Sequence, residues 1–202
     1  MNPRVLQVMI DRLRSSPAVV RRRLAKFAGA LAISLLVVLG VVQTAQAQAT
    51  ATPSGLPLPR FATTRSTPIN VRVGPGTRYD IAWVYVKSGT PVEIIQEFDT
   101  WRKIRDVDGA EGWIHQNLLS GKRAGLAAPW QSEGQIPLLS RKGETEGVRA
   151  WLGPGYRVDI DRCDGTWCEV KATAELANGK ATYSGYLSQT DLWGVYKGEE
   201  FN

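Results

Sequence analysis

From residue 60 onward the chain is written in short apolar runs, none longer than eight residues. "INVRV", "IAWVYV", "PVEIIQEF", "WRKIRDV" and "GWIHQNLL" follow one another, separated by Gly, Pro, Asp and Asn. The runs are rich in β-branched and aromatic residues, which pack well on a half-buried pleated surface. Apolar runs of this length between turn residues predict strands joined by hairpins. No segment after residue 47 keeps an apolar period of 3.6, so no long helix is expected there. In "IAWVYV" the period of two puts Ile81, Trp83 and Tyr85 on one face and Ala82, Val84 and Val86 on the other. The small aliphatic set is expected inside, leaving Trp83 and Tyr85 partly exposed.

The pattern also repeats. Trp101 in "DTW" and Trp167 in "GTW" lie 66 residues apart, and the same offset places Val92 on Val158, Ile94 on Ile160, Ile104 on Val170 and Gly89 on Gly155. Farther on, "EGWIHQNLL" aligns with "SGYLSQTDL" after seven extra residues in "KATAELANGKATY", so that Gly112 meets Gly185 and Gln116 meets Gln189. "IPLLSRK" falls where the first copy has its "NVRVGPG". Two related all-β units are therefore expected, at residues 60–122 and 125–197. The "GPG" at Gly74–Gly76 and the one at Gly153–Gly155 are not equivalent under this register; the second lies on Lys87-Ser88-Gly89. Neither precedes the Lys-Ser/Thr and helix that a phosphate loop needs, so both read as tight turns.

The N-terminal segment departs from this texture. Arg21–Arg23 and Lys26 precede "FAGALAISLLVVLGVV", an uncharged apolar run, and then "TAQAQA", which offers small-residue cleavage sites. This is the order of a signal peptide, expected over residues 1–47 with cleavage after Ala47. The apolar run is short for a spanning helix, and a membrane role is expected only if the segment stays uncleaved. Residues 48–59, "QATATPSGLPLP", read as a Pro-containing linker. The formal charge of +6 resides in residues 1–47, so the remainder balances to zero. A nucleic-acid partner, which needs a basic patch on the folded part, is not expected.

Candidate chemistry is sparse. The only two cysteines, Cys163 and Cys168, are an even pair in an exported chain and are expected to form a structural disulfide. Under the 66-residue register they fall on Glu97 and Arg102, flanking a hairpin turn where paired residues face each other. With one histidine, His115, neither a multi-His zinc site nor a Cys–His nucleophile is expected, and no metal or cofactor is assigned. Asp106, Asp108 and Glu111 could serve a carboxylate-dependent hydrolase, but "DVDGAEG" reads first as a solvated turn.

The first unit resembles the bacterial SH3-like domain. Asn70-Val71-Arg72, Gly74-Pro75, Gly89, Val92 and Ile94, Trp101, Lys103 and Ile104, and Gly112-Trp113-Ile114 stand in the order of that family's pattern. The second unit lacks the N-V-R-x-G-P segment and ends in "DLWGVY". The resemblance implies an all-β protein, two small SH3-like barrels in tandem after an N-terminal signal peptide. It further implies a noncatalytic, periplasmic or secreted binding module, with peptidoglycan or an envelope protein as partner. Candidate ligand-binding residues are Arg72, Tyr79, Trp83, Tyr85 and His115. For Trp83 and Tyr85 the alternative is packing against the other unit or the linker. An envelope protein–protein adaptor is the competing function.

Overall fold

The computed structural model describes residues 52–143 and 147–202. The expected signal peptide and the start of the linker lie outside the described residues. The described chain is all-β, its only helical turns being two short 3-10 turns. Strands β1 (Arg60–Thr64), β2 (Ile69–Arg72), β3 (Ile81–Tyr85), β4 (Pro91–Phe98), β5 (Trp101–Arg105), β6 (Glu111–His115) and β7 (Leu119–Ser120) form one curled sheet in the order β3-β2-β6-β5-β4-β1-β7. Strands β8 (Ala124–Ala127), β9 (Ile136–Leu139), β10 (Val148–Leu152), β11 (Tyr156–Asp164), β12 (Trp167–Leu176), β13 (Gly179–Ser188) and β14 (Leu192–Trp193) form the second, in the order β10-β9-β13-β12-β11-β8-β14. A last strand, β15 (Glu200–Phe201), pairs with β11 past the expected end at 197.

Alternation builds both cores. Ile69, Val71, Val92, Ile94, Ile104 and Ile114 turn inward in the first sheet. Leu138, Val158, Ile160, Val170 and Leu187 do so in the second. Each fully buried aliphatic side chain contributes about 1.5–3 kcal/mol.

Positions related by the sequence register occupy matching places in the two sheets. The ladder between β4 and β5 shifts between Ile94 and Gln96, and that between β11 and β12 shifts between Ile160 and Arg162, 66 residues later. Ile104 pairs with Gly112, and Val170 with Gly185. Gly89 and Gly155 both adopt positive φ, and their N–H groups donate to Thr64 and Ala127. The match extends to the 3-10 turns. His115 accepts from the Asn117 N–H and Ser188 accepts from the Thr190 N–H, each at the N-cap.

The register slips by one residue in the first hairpin. Ile69–Arg72 pairs with β3 as Ile136–Leu139 pairs with β10, an offset of 67 rather than 66. "IPLL" therefore overlies "INVR", not "NVRV". Leu152 stands one residue nearer to Gly155 than Tyr85 does to Gly89, so a gapless register cannot span both.

Cys163 and Cys168 are disulfide-bonded directly opposite each other on β11 and β12, with Cα atoms 4.1 Å apart. Both are buried. Glu97 and Arg102 pair in the same way on β4 and β5, as an ion pair at 3.2 Å. One hairpin position is thus closed covalently in one sheet and electrostatically in the other.

Candidate functional site

The turn between β2 and β3 folds back on Tyr79. A Cβ at Gly74 would lie 2.5 Å from the Tyr79 ring, so only glycine admits the ring at this distance. Arg72 Nη1 donates to the Tyr79 carbonyl at 2.6 Å, and the Arg78 guanidinium lies 5.3 Å from the Tyr79 ring centroid. Arg72 also pairs with Trp113 across β2 and β6. Arg72 and Tyr79 therefore belong to one small cluster at the β2–β3 end of the sheet.

Trp83 and Tyr85 do not take the expected face. Both pack against the first core, whereas Val84 and Val86 are 43% and 76% exposed. The reason is cross-strand. Val71 pairs with Trp83 and Ile69 with Tyr85, and directly paired residues share a face. Because Ile69 and Val71 are buried, their aromatic partners must point inward as well. Packing within the same sheet replaces the expected exposed platform.

The two rings meet edge to face with centroids 6.2 Å apart. Their polar tips, Trp83 Nε1 and Tyr85 Oη, are buried and have no hydrogen-bond partner. Burial pushes the Tyr85 hydroxyl up to about 12, and the nearby carboxylates Asp106 and Asp108 add to the effect against a smaller opposing influence from Trp83. The β5–β6 turn is thereby within electrostatic reach of the aromatic pair. Asp106 is engaged in that turn, where Oδ1 accepts from the N–H groups of Asp108 and Ala110. Lys103 and Arg105 hold Glu111 below the usual carboxylate range.

His115 lies elsewhere. It pairs with Trp101, whose ring it meets edge to face at 5.5 Å, and its Nδ1 caps the following 3-10 turn. The structure brings Arg72 close to Tyr79, and Trp83 close to Tyr85; it gives His115 a capping role. Among the described residues no group of three or more His, Cys, Asp or Glu could hold a metal ion.

The junction between the sheets was not anticipated from sequence. Phe61 of β1 meets Trp193 at 5.2 Å and Tyr196 at 4.9 Å. Tyr196 Oη donates to Glu93 at 2.9 Å, and burial together with this acceptor raises its pKa. Arg157 Nε donates to the Gly89 carbonyl at 2.6 Å. Arg123 lies over Phe201 at 4.4 Å and is paired with Glu199. The "DLWGVY" segment held the only sequence signal, a dense aromatic run at the end of the repeat.

The segment expected as a linker is also fastened. The N–H and the hydroxyl of Ser54 both donate to Glu97, and Leu58 packs against the first core.

The class defined by these features is a small antiparallel β protein with two curled sheets, each closed by hairpins. Residues 65–121 match the family model of the bacterial SH3 domain. No curated protein matches the chain. Among solved structures it is similar to that of NlpC2 from Trichomonas vaginalis, with 13% identity over 67% of this chain and 48% of that one and a TM-score of 0.27. It is also similar to that of NlpC1 from the same organism, with 14% identity over 68% and 46% of the two chains and a TM-score of 0.27. The chain spans about half the length of these structures, and at such TM-scores neither likeness bears on fold or function.

Proposed function

We propose that the chain is an exported, noncatalytic binding module of the cell envelope whose ligand is peptidoglycan. The observation that carries this reading is the bacterial SH3 domain over residues 65–121, a fold segment that suggests a binding module. The buried disulfide is consistent with maturation outside the cytoplasm and, with the signal-like leader, supports a periplasmic or secreted location. No described helix is long and apolar enough to cross a membrane. The matched ladder shifts, glycines and N-caps support reading the two sheets as tandem copies, with the second diverged.

The binding face assigned is the β2–β3 end, where Arg72 and Tyr79 cluster and Trp83 and Tyr85 close the core beneath. Purified sacculi incubated with the chain lacking residues 1–47 should sediment it above an unrelated control protein. Tyr79→Ala is the informative variant, because it alters the turn without opening the core. Replacing Trp83 and Tyr85 together would excavate the core and confound binding with unfolding. Sedimentation no greater than the control overturns the reading.

One observation favours an envelope adaptor instead. The edge strand β3 exposes Ile81 and Val84, is followed by exposed Val86, and carries no charged residue or proline to discourage pairing. Recovery of one dominant cross-linked protein, without sacculus binding, would select that function.

A further inference from the structure

A cleft of about 470 Å³ lies where the ends of β1 and β7 and the turn at Ser88-Gly89 meet β11, within the size range of small-ligand sites. No aromatic or aliphatic side chain lines it. Its frame is fixed by the fold. Thr63 and Ser120 are directly paired across β1 and β7. The Thr63 hydroxyl donates to the Lys122 carbonyl at 3.0 Å, and the Arg65 N–H donates to the Leu118 carbonyl at 2.8 Å. From the second sheet, Arg157 Nε donates to the Gly89 carbonyl at 2.6 Å and Nη2 pairs with Asp159.

The charges do not balance. Arg65, Lys122 and Arg157 line the cleft against one carboxylate, Asp159. Arg157 and Asp159 answer each other, which leaves the Arg65 guanidinium and the Lys122 ammonium. Neither has a side-chain hydrogen bond or ion pair among the described residues, although the main chain of each is anchored. Two hydroxyls stand with them. Ser88 Oγ has no partner among the described residues, and Ser120 Oγ accepts from the Lys122 N–H at 3.2 Å with its own proton still to donate. The hydroxyls of Thr63 and Thr64, by contrast, already donate to main-chain carbonyls.

A cleft lined by one sign of charge focuses its field and concentrates counter-ions. Two uncommitted cations match a dianion, and free hydroxyl donors match a head rich in acceptors. A phosphate monoester carries close to two negative charges and three strong acceptor oxygens. A lone carboxylate would leave one cation unanswered, and a lipid tail has no apolar wall to take it.

We infer that this cleft binds a phosphate group, either the free ion or the monoester of a small hydrophilic molecule. The site shares no residue with the β2–β3 face and stands whether or not the chain binds sacculi.

The test is a two-dimensional amide NMR titration of the chain lacking residues 1–47, at about pH 7.5 where a phosphate monoester is close to dianionic. The probes are glucose 1-phosphate, inorganic phosphate and glucose. Glucose 1-phosphate should give saturable shifts at Arg65, Ser88, Ser120 and Lys122, and glucose none. Arg65→Ala combined with Lys122→Ala should fold, because neither side chain has a partner, and should weaken binding at least ~10-fold through the lost charge-assisted bonds. Lys180→Ala, an exposed cation outside the cleft, should change it less than ~2-fold at physiological salt. Inorganic phosphate binding at least as tightly as the ester assigns the site to the free ion, and tighter binding of the ester assigns it to a phosphorylated sugar; both uphold the site. The inference is overturned by absent saturation with both phosphates, by glucose binding as tightly as its phosphate, by undiminished binding in the folded double variant, or by an equal loss in Lys180→Ala. Should the double variant unfold, the comparison of glucose with its phosphate on the unaltered chain decides.

Discussion

Glu97 ties β1, β5 and the segment at Ser54 together, and Glu97→Gln is the perturbation that weighs it. Its carboxylate has no exposed side-chain surface and pairs with Arg60 and Arg102, while Ser54 donates two hydrogen bonds to it. The amide is nearly isosteric, so packing is preserved and only charge and one acceptor are lost. Arg102, 5% exposed, cannot be rehydrated once its counter-charge is gone. Breaking a buried pair by removing one partner costs about 3–5 kcal/mol. The lower end applies, because the Arg60 side chain keeps 19% exposure and the amide oxygen still accepts one bond. A loss of about 3 kcal/mol is a substantial fraction of the roughly 5–15 kcal/mol typical of a folded protein. Urea unfolding followed by tryptophan fluorescence reads it as a lower midpoint at unchanged slope.

The pH dependence provides an independent check. Burial opposes the charge on Glu97, but the bonds from Ser54 and Arg60 outweigh it and hold the carboxyl below its ordinary value. A group whose folded pKa is depressed stabilises fully above its unfolded pKa, about 4.3, and ceases to do so as pH falls through the folded value. The stability gap between the parent and Glu97→Gln should therefore be full at neutral pH and shrink on acidification below about pH 4.3. A gap under about 1 kcal/mol at neutral pH, the range of a surface pair, would refute the reasoning. So would a gap that widens in acid.

Replacing Cys163 and Cys168 by alanine removes a closure spanning five residue positions and should cost about 2 kcal/mol by the chain-entropy relation, seen as a lower thermal midpoint that reductant does not shift further. Because Glu97 and Arg102 pair as those cysteines do, E97C together with R102C should oxidise to an intramolecular disulfide; two titratable thiols after air oxidation would contradict the equivalence. In Gly185→Ala the new Cβ would lie 2.5 Å from the Leu139 carbonyl oxygen, so a loss of about 1–3 kcal/mol in denaturant unfolding is expected.

Much of the architecture was legible in the chain because strand formation is a local matter of alternation and turn residues. The runs around Val92, Ile104 and Ile114 and the turns at Gly89 and Gly155 are such features. The disulfide was legible too, since a hairpin turn brings its flanking residues together whatever surrounds it. The inward face of β3 was not. Alternation in "IAWVYV" is symmetric, and it was the pairing of Trp83 with Val71 and of Tyr85 with Ile69 that chose the face. The single-residue slip at "IPLL" escaped for a related reason: apolar positions adjacent in sequence match either register until hydrogen bonds fix one. Composition identified residues 48–59 as a linker, yet Ser54 is held by a carboxylate 43 positions away. The junction of Phe61 with Trp193 and Tyr196, and the polar cleft between the sheets, join residues that no local pattern relates. The sequence by itself determined the strands, their turns and the covalent closure, all of which depend on near neighbours. Which side of β3 faced the core was decided only by its cross-strand pairing, and which distant charges met only by the way strands far apart in sequence came together in the fold.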